Sequence, residues 1–172
     1  FAGYKNVDLS NWWARHYPVG YTVPAMALER LLNLNEERQV YLFRHLLNFL
    51  VCALGVFALY RLAERRFSDW RIGLLAALFL ILSPRFFAES FYNSKDLVLM
   101  AFFAIVMNTM IGFIVKPSWR SLLWHTLASG LALDIRLMAI VFPLGTTILV
   151  TIKIMRGEMG WRRAFGYLVV YF

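Results

Sequence analysis

The sequence predicts an all-α bundle of about five to six membrane-spanning helices, preceded by an N-terminal amphipathic helix in the membrane interface. Of the 172 residues, 60% are hydrophobic and only 16% are charged, whereas soluble domains have close to half apolar and a quarter charged residues. Several apolar runs approach the roughly 20 residues that span a bilayer. Lys and Arg cluster in the short segments between these runs, which is typical of polytopic membrane proteins.

Residues 1–45 form the first predicted unit, because they are too polar to cross a membrane. Aromatic residues come early in this segment, namely Trp12, Trp13, Tyr17 and Tyr21. Apolar residues then recur at helical spacing, namely Ala25, Leu28, Leu31 and Leu32. Aromatic residues followed by a short amphipathic helix indicate a segment that lies in the membrane interface.

Residues 46–172 form the second predicted unit, the transmembrane bundle. Its first three apolar runs are residues 46–62, 72–87 (with Pro84 near the end) and 97–115. The following run, 121–152, is too long for one simple span and carries Asp134 and Arg136 in its middle. We therefore expect two short helices that form a hairpin, and a last helix that begins after Arg163.

The charges divide unequally between the two sides of this predicted bundle. The loops after the first, third and fifth spans hold ten Lys and Arg against three acidic residues, and the other side holds eight against seven. The strongly basic side is expected to be cytoplasmic. A local excess of basic residues can also indicate nucleic-acid binding, but no aromatic and basic surface module of that kind is visible. The segment 85–96 and the break at Asp134 are thereby predicted to lie on the non-cytoplasmic face.

Four ionisable residues stand between the second and third spans: Arg85, Glu89, Lys95 and Asp96. Ionisable groups at membrane depth are costly and usually face a cavity or a partner. A simpler interpretation stays open, in which Asp96 caps the following helix and Lys95 extends its ammonium toward the interface.

Asp134 and Arg136 make a site more plausible than a cap alone. Residues two apart on a helix point about 200° apart, so this pair is not expected to neutralise itself. We expect both side chains to find partners in the group around Lys95 and Asp96. The competing interpretation of Arg136 is a simple inter-helix salt bridge to Asp96 or Glu89.

Two carboxylates, a lysine and one or two arginines in one pocket fit chemistry on a phosphate-bearing substrate. Arginine offers forked donors to phosphate, and a carboxylate can act as a base or as a ligand of a hard metal ion. Arg44 and His45, just before the first span, add either headgroup anchoring or a further phosphate contact. No cofactor is assigned, and a divalent metal held by Asp96 or His45 stays open.

The remaining polar residues of the spans have structural interpretations. Asn48, Asn108 and Ser129 are expected to form hydrogen bonds between helices. The single cysteine, Cys52, is expected to be a free residue of the core.

Three stretches resemble glycosyltransferase family 39, a family of lipid-carrier-dependent enzymes of the GT-C superfamily that includes protein O-mannosyltransferases and aminoarabinose transferases. They are "LSPRFFAESFYNSKDLVLM", "VYLFRHLLNFLVCALGVFALYRLAERRF" and "LASGLALDIRLMAIVFPL". The resemblance covers most of residues 38–145. It implies a GT-C-like helix bundle, with residues 1–45 as the distal part of a large first extracytoplasmic loop.

The resemblance also implies an activity: transfer of a sugar from a polyprenyl phosphate to a protein or lipid hydroxyl on the non-cytoplasmic side. Asp96 matches one acidic position of the family. The family's other acidic position lies early in the first loop and is expected upstream of Phe1, because residues 1–45 resemble the distal part of that loop and neither end of the chain resembles a natural terminus. Asp96 is then the catalytic candidate. Lys95, Arg136, Arg85 and Arg44 are the candidates for binding the phosphate of the donor.

Two other classes of function stay open at this point. A transporter or flippase subunit would also carry broken helices and intramembrane charges, although no internal repeat between residues 46–87 and 97–152 supports it. A purely structural membrane subunit would make the charged residues incidental. For the enzyme, we expect a multi-pass protein in the plasma membrane of a prokaryote, with the bilayer, the lipid-linked sugar and the acceptor as its partners.

Overall fold

The computed structural model describes residues 19–172, and within that range every regular element is a helix. The α-helices are α1 (Val19–Leu31), α2 (Glu37–Phe67), α3 (Trp70–Ile81), α4 (Pro84–Glu89), α5 (Asp96–Val115), α6 (Trp119–Ile135), α7 (Val141–Met155) and α8 (Trp161–Tyr171). A short 3-10 helix, Leu137–Ile140, leads into α7. The predicted all-α fold is confirmed, while Trp12, Trp13 and Tyr17 lie outside the described residues.

Three helical stretches are long and apolar enough to cross a membrane: α2, α5 and the continuous stretch Leu137–Met155. Helix α3 is apolar but shorter, with 12 residues. Large apolar side chains remain exposed along one face of α2, at Leu42, Leu46, Leu50, Leu54 and Phe57. Spacings of three and four residues place these side chains in one stripe, which suits contact with lipid.

Helices α2 and α5 run parallel and approach closely. Gly55 of α2 lies against Ala101 of α5, where an added Cβ would stand 2.5 Å from the Ala101 Cα. Further along both helices, Asn108 donates to the carbonyl of Ala58 over 3.2 Å. Small residues at such a contact let two helix backbones pack closely inside a membrane.

Helices α5 and α6 run antiparallel, joined by the short connection 116–118. Thr109 and His125 are in hydrogen-bond contact near this connection, and Asp96 pairs with Arg136 at the opposite ends of the two helices. His125 also contacts Thr146 of α7 over 2.8 Å. Helices α6 and α7 therefore pair as the predicted hairpin, which turns at Arg136.

These directions give the bundle two distinct ends. The basic end holds the connections α2–α3, α5–α6 and α7–α8 with their flanks, residues 61–71, 116–120 and 153–163. The Asp96 end holds α1, the start of α2, α4, the connection 90–95 and the hairpin turn at 134–140.

One helix extends beyond its predicted span, and one predicted boundary was wrong. The first membrane span was expected to begin at residue 46, and α2, which contains that span, already begins at Glu37, because residues 37–45 contain no glycine or proline that would stop a helix. Pro84 was expected within the second span. Instead α3 ends at Ile81 and Pro84 is the first residue of α4, where a missing N–H costs no helical hydrogen bond.

The polar residues expected between helices do form contacts of that kind. Asn108 bridges α5 to α2, as described above, and Ser129 accepts a hydrogen bond from the Tyr171 hydroxyl of α8 over 3.0 Å. Buried Asn48 donates to the carbonyl of Ser90 over 2.9 Å, which fixes the end of α4 against α2. Cys52 is free and buried in the core, as expected.

Candidate active site

The centre of the candidate site is an ion pair between Asp96 and Arg136. Asp96 is the first residue of α5, and Arg136 directly follows the last residue of α6. Since these helices are antiparallel and joined at the basic end, the start of one meets the end of the other. Arg136 Nη2 lies 2.5 Å from Asp96 Oδ1, and both side chains remain about half exposed, at 42% and 59%.

The Asn93 side chain caps the start of α5. The Asp96 carboxylate therefore does not act as the cap, and it pairs with Arg136. The Asn93 Oδ1 accepts from the backbone N–H of Asp96 over 2.8 Å and from that of Lys95 over 3.3 Å. Asn is among the residues that best satisfy the open N–H groups of a helix start. The capping interpretation of Asp96 is wrong for its side chain, although its charge still favours the helix N-terminus.

Glu89 links this cap to Arg85. The Arg85 Nε donates to Glu89 Oε1 over 2.9 Å, and Asn93 Nδ2 donates to Glu89 Oε2 over 2.9 Å. Two hydrogen bonds lower the pKa of Glu89 below its ordinary value, and the one from Arg85 has a larger effect than the one from Asn93. The same contact with Glu89 raises the pKa of Arg85. Arg85 therefore lies near the site, but its charge is already balanced by Glu89.

Lys95 lies directly before α5, half buried, and adjoins the Asp96–Arg136 pair in the chain. The structure thus pairs two of the candidates, Asp96 and Arg136, and Lys95 is the residue directly before Asp96 in the chain. Counting Glu89 and Arg85 as well, the cluster carries three basic groups against two carboxylates.

Asp134 does not join this cluster, contrary to the expectation. Its Oδ2 accepts the backbone N–H of Gly20 over 2.6 Å, a donor in the first turn of α1 that has no partner within its own helix. A Cβ on Gly20 would stand 2.9 Å from Leu131 Cδ2 and 3.1 Å from the carboxylate. Asp134 is thus a docking residue for α1, and the glycine permits its close approach.

Arg44 also serves this docking. Its Nε and Nη2 bind the two carboxylate oxygens of Glu29 over 2.6 and 3.1 Å, the bidentate geometry that arginine favours. The Tyr21 hydroxyl adds a contact to Asn48 over 3.3 Å. Helix α1 is therefore attached to α6 near its start and to α2 near its end, and Arg44 takes part in this attachment through Glu29.

His45 contacts its own helix. Its Nδ1 lies 2.9 Å from the Tyr41 carbonyl, and its ring packs on that of Tyr41. Among residues 19–172, no group of three His, Cys, Asp or Glu side chains is close enough to hold a metal ion. The described part of the chain therefore supplies no complete ligand set around Asp96 or His45.

A cavity of about 180 Å³ lies beneath α1, bounded by α2, α5 and α6. Its wall is almost entirely apolar and includes Pro24, Val51, Phe102 and Leu131. Of the four apolar residues expected at helical spacing, only Ala25 is buried, while Leu28 and Leu31 of α1 and Leu32 just after it stay exposed. Ile135, which also lines the cavity, directly precedes Arg136. An apolar space thus adjoins the charged cluster.

The residues that the sequence did not single out are Asn93 and Glu29. Asn93 orders the start of α5, and Glu29 holds α1 through Arg44. The spacing of Asn93 three residues before Asp96 is a usable capping signal. Nothing in the sequence around Glu29 indicates its partner, which lies 15 residues away.

Comparison with known proteins decides the family. The family model described as dolichyl-phosphate-mannose-protein mannosyltransferase matches residues 25–172. The chain belongs to this mannosyltransferase family. The resemblance seen in the sequence is therefore confirmed, and the chain is placed among integral membrane glycosyltransferases of the mannosyltransferase type. No curated protein and no solved structure matches the chain.

Proposed function

We propose that this mannosyltransferase-family chain is part of an enzyme that moves a sugar from a polyprenyl-phosphate donor to a protein or lipid hydroxyl on the non-cytoplasmic face. The observation that carries the proposal is the Asp96–Arg136 pair, which stands next to Lys95 and beside an apolar cavity in a chain of this family. Such a donor combines a phosphate with a long hydrocarbon, and this end of the bundle offers cationic groups next to an apolar space.

The orientation rests on the positive-inside rule. The basic end carries ten Lys and Arg against three acidic residues, and such segments remain in the cytoplasm. The Asp96 end would then face the opposite side. Residues 1–45 would form the distal part of an extracytoplasmic loop, with α1 lying over this end of the bundle.

The proposed reaction is a displacement at the anomeric carbon of the sugar. The acceptor oxygen forms the new bond as the bond to the phosphate oxygen breaks, and the negative charge moves onto the departing polyprenyl phosphate. Arg136 and Lys95 would stabilise that charge, with Arg85 and Arg44 in weaker roles because each is paired with a glutamate. Asp96 would hold Arg136 and orient the acceptor. We place the base that takes the hydroxyl proton outside residues 19–172, since Asp96 is already engaged.

The test is transfer from a polyprenyl-phosphate sugar, measured on the purified protein in lipid. We expect Asp96→Asn and Arg136→Gln each to lower the rate by about a hundredfold or more, the scale seen when a catalytic or charge-stabilising group is removed. The matched control is Glu64→Gln, which breaks the 2.8 Å ion pair with Arg61 at the basic end and should leave the rate unchanged.

A charge-swapped double variant separates catalysis from packing. Asp96→Arg combined with Arg136→Asp keeps the attraction between α5 and α6, so thermal stability should recover in large part, and the remaining loss reflects charges placed at the unfavourable ends of the two helix dipoles. If the pair only holds the helices together, transfer should return as well. Transfer that stays lost in a stable double variant supports the catalytic role, and full transfer would refute it.

A further inference from the structure

A second cavity lies at the basic end, far from the Asp96–Arg136 pair. It has a volume of about 250 Å³ and opens between α2, α5 and α6. Its lining residues are Arg65, Asn108, Thr109, Gly112, Ser121 and Trp124. None of these residues has a part in the proposed transfer reaction.

Arg65 supplies the positive charge of this cavity and is held in position. Its Nη1 donates to Asn108 Oδ1 over 2.6 Å, while Asn108 Nδ2 is fixed by the carbonyl of Ala58. A guanidinium has five N–H donors, so this contact uses only a small part of its capacity. Within residues 19–172, no carboxylate lies within ion-pair distance of Arg65, whereas its neighbour Arg61 is paired with Glu64.

The surroundings add further positive charge. Lys116 lies in the α5–α6 connection and Arg120 in the first turn of α6, next in the chain to the lining residue Ser121, and neither forms a salt bridge within the described residues. The three acidic residues of this end are engaged elsewhere: Glu64 with Arg61, Glu158 with Lys153, and Asp69 as the cap of α3. An anion is therefore the complementary occupant.

The position of the cavity indicates which anion. Trp124 lines it and is 59% exposed, and Trp119, five residues earlier, is 53% exposed. Tryptophans concentrate at the level of the lipid headgroups, and Leu123 and Leu127 beside Trp124 are exposed and apolar, as lipid contact requires. Basic pockets between membrane helices on the cytoplasmic side are known binding places for anionic headgroups.

We propose that this cavity binds the phosphodiester headgroup of an anionic phospholipid. The Arg65 guanidinium contacts the phosphate, Lys116 and Arg120 add long-range attraction, and the acyl chains follow the apolar surface beside Trp124. The bound lipid joins α2, α5 and α6 at the end opposite to the candidate active site.

Gly112 offers a way to close the cavity without touching its charge. A Cβ added at Gly112 meets no atom within 4 Å, so a leucine there extends into open space. Glycine within a helix is also less stable than most other residues, which favours folding of Gly112→Leu.

The experiment uses the purified protein in nanodiscs of phosphatidylcholine that contain a minor fraction of phosphatidylglycerol. Native mass spectrometry counts the phosphatidylglycerol molecules retained after stripping. We expect Arg65→Gln to reduce retention by about tenfold, the scale of a lost charge-assisted hydrogen bond. We expect Gly112→Leu to reduce retention as well, because its side chain fills the space that the headgroup would occupy. The matched control is Arg66→Gln, which removes the same charge from a side chain that lies over the Phe67 ring and does not line the cavity.

Three outcomes would overturn the proposal. Equal loss in Arg66→Gln would mean attraction by net charge alone. Unchanged retention in Gly112→Leu would mean that the lipid lies elsewhere, and this variant decides the matter even if Arg65→Gln fails to fold. Displacement of the lipid by millimolar inorganic phosphate would indicate a site for free phosphate. Quenching of tryptophan fluorescence by phosphatidylglycerol with brominated acyl chains should be smaller in Trp124→Phe than in the parent, and an equal degree of quenching in the two proteins would contradict the placement of the acyl chains.

Discussion

The two ends of the bundle differ in how far their charged side chains are paired. At the Asp96 end, four of the described acidic groups are held by a named donor: Asp96 by Arg136, Glu89 by Arg85, Glu29 by Arg44 and Asp134 by Gly20. At the basic end, Lys and Arg outnumber acids by ten to three, so most cations lack a carboxylate partner. Paired charges fix geometry, whereas an uncompensated excess attracts external anions and orients the protein in the membrane.

The largest expected difference between the two ends is their accessibility to a reagent that cannot cross the membrane. Tyr92→Cys and Arg156→Cys introduce single thiols at exposed positions of the Asp96 end and the basic end. We expect a membrane-impermeant maleimide to label Tyr92→Cys in intact cells and Arg156→Cys only after permeabilisation. Cys52 is 1% exposed and should give little background. The reverse pattern would invert the proposed orientation and remove the catalytic face from the non-cytoplasmic side.

A smaller effect is expected from undocking α1 at the Asp96 end. In Gly20→Ala, the new methyl group crowds Leu131 and the Asp134 carboxylate, which should destabilise the protein by about 1–2 kcal/mol. Thermal unfolding in detergent measures the change.

The matched control for this prediction is Gly130→Ala on α6. An added Cβ at Gly130 meets nothing within 4 Å, so this variant should be as stable as the parent or slightly more stable. Equal melting temperatures for the two variants would show that α1 does not depend on the close contact at Gly20.

The smallest expected effect is the contribution of Glu89 to the pH dependence of protein stability. Its pKa in the folded protein lies below the ordinary value of 4.5 because of Arg85 and Asn93. The unfolded chain therefore binds the proton more readily, so the stabilisation is full above about pH 4.5 and disappears as the pH falls through the lowered folded pKa. Glu89→Gln should remove this part of the pH dependence of thermal unfolding between pH 6 and 3. An identical acid profile in the variant would contradict the pairing.

The helices and their order could be predicted from the sequence, because apolar runs and basic connections are local signals. The break at Asp134 and Arg136 was also visible, since charged residues interrupt an otherwise apolar run. Of the partners of these two charges, only that of Arg136 was predictable. Arg136 pairs with Asp96, which was one of the two interpretations given for it. Asp134 binds a backbone N–H of α1, and no side chain in the sequence indicates a backbone donor.

The start of α2 and the position of Pro84 show a second limit. The expected span counted only the residues needed to cross a bilayer, whereas α2 continues beyond the apolar run with Arg38 and Arg44 in its first turns. Helix length is set by backbone hydrogen bonding and by the absence of a breaker, and hydropathy reports neither. Pro84 was recognised as a breaker, but its place at the first position of α4 depends on the fold of the preceding turn.

The attachment of α1 to Asp134 has a consequence for the order of assembly during synthesis. Gly20 precedes Asp134 by 114 residues, which a ribosome adds in about 6–23 s at 5–20 residues per second. Until α6 has emerged and inserted, the segment that becomes α1 lacks the Asp134 carboxylate that accepts from its Gly20 N–H and the wall that α6 gives to its cavity. Although it comes first among the described helices, α1 is completed late, and the apolar cavity beneath it closes only when the hairpin arrives.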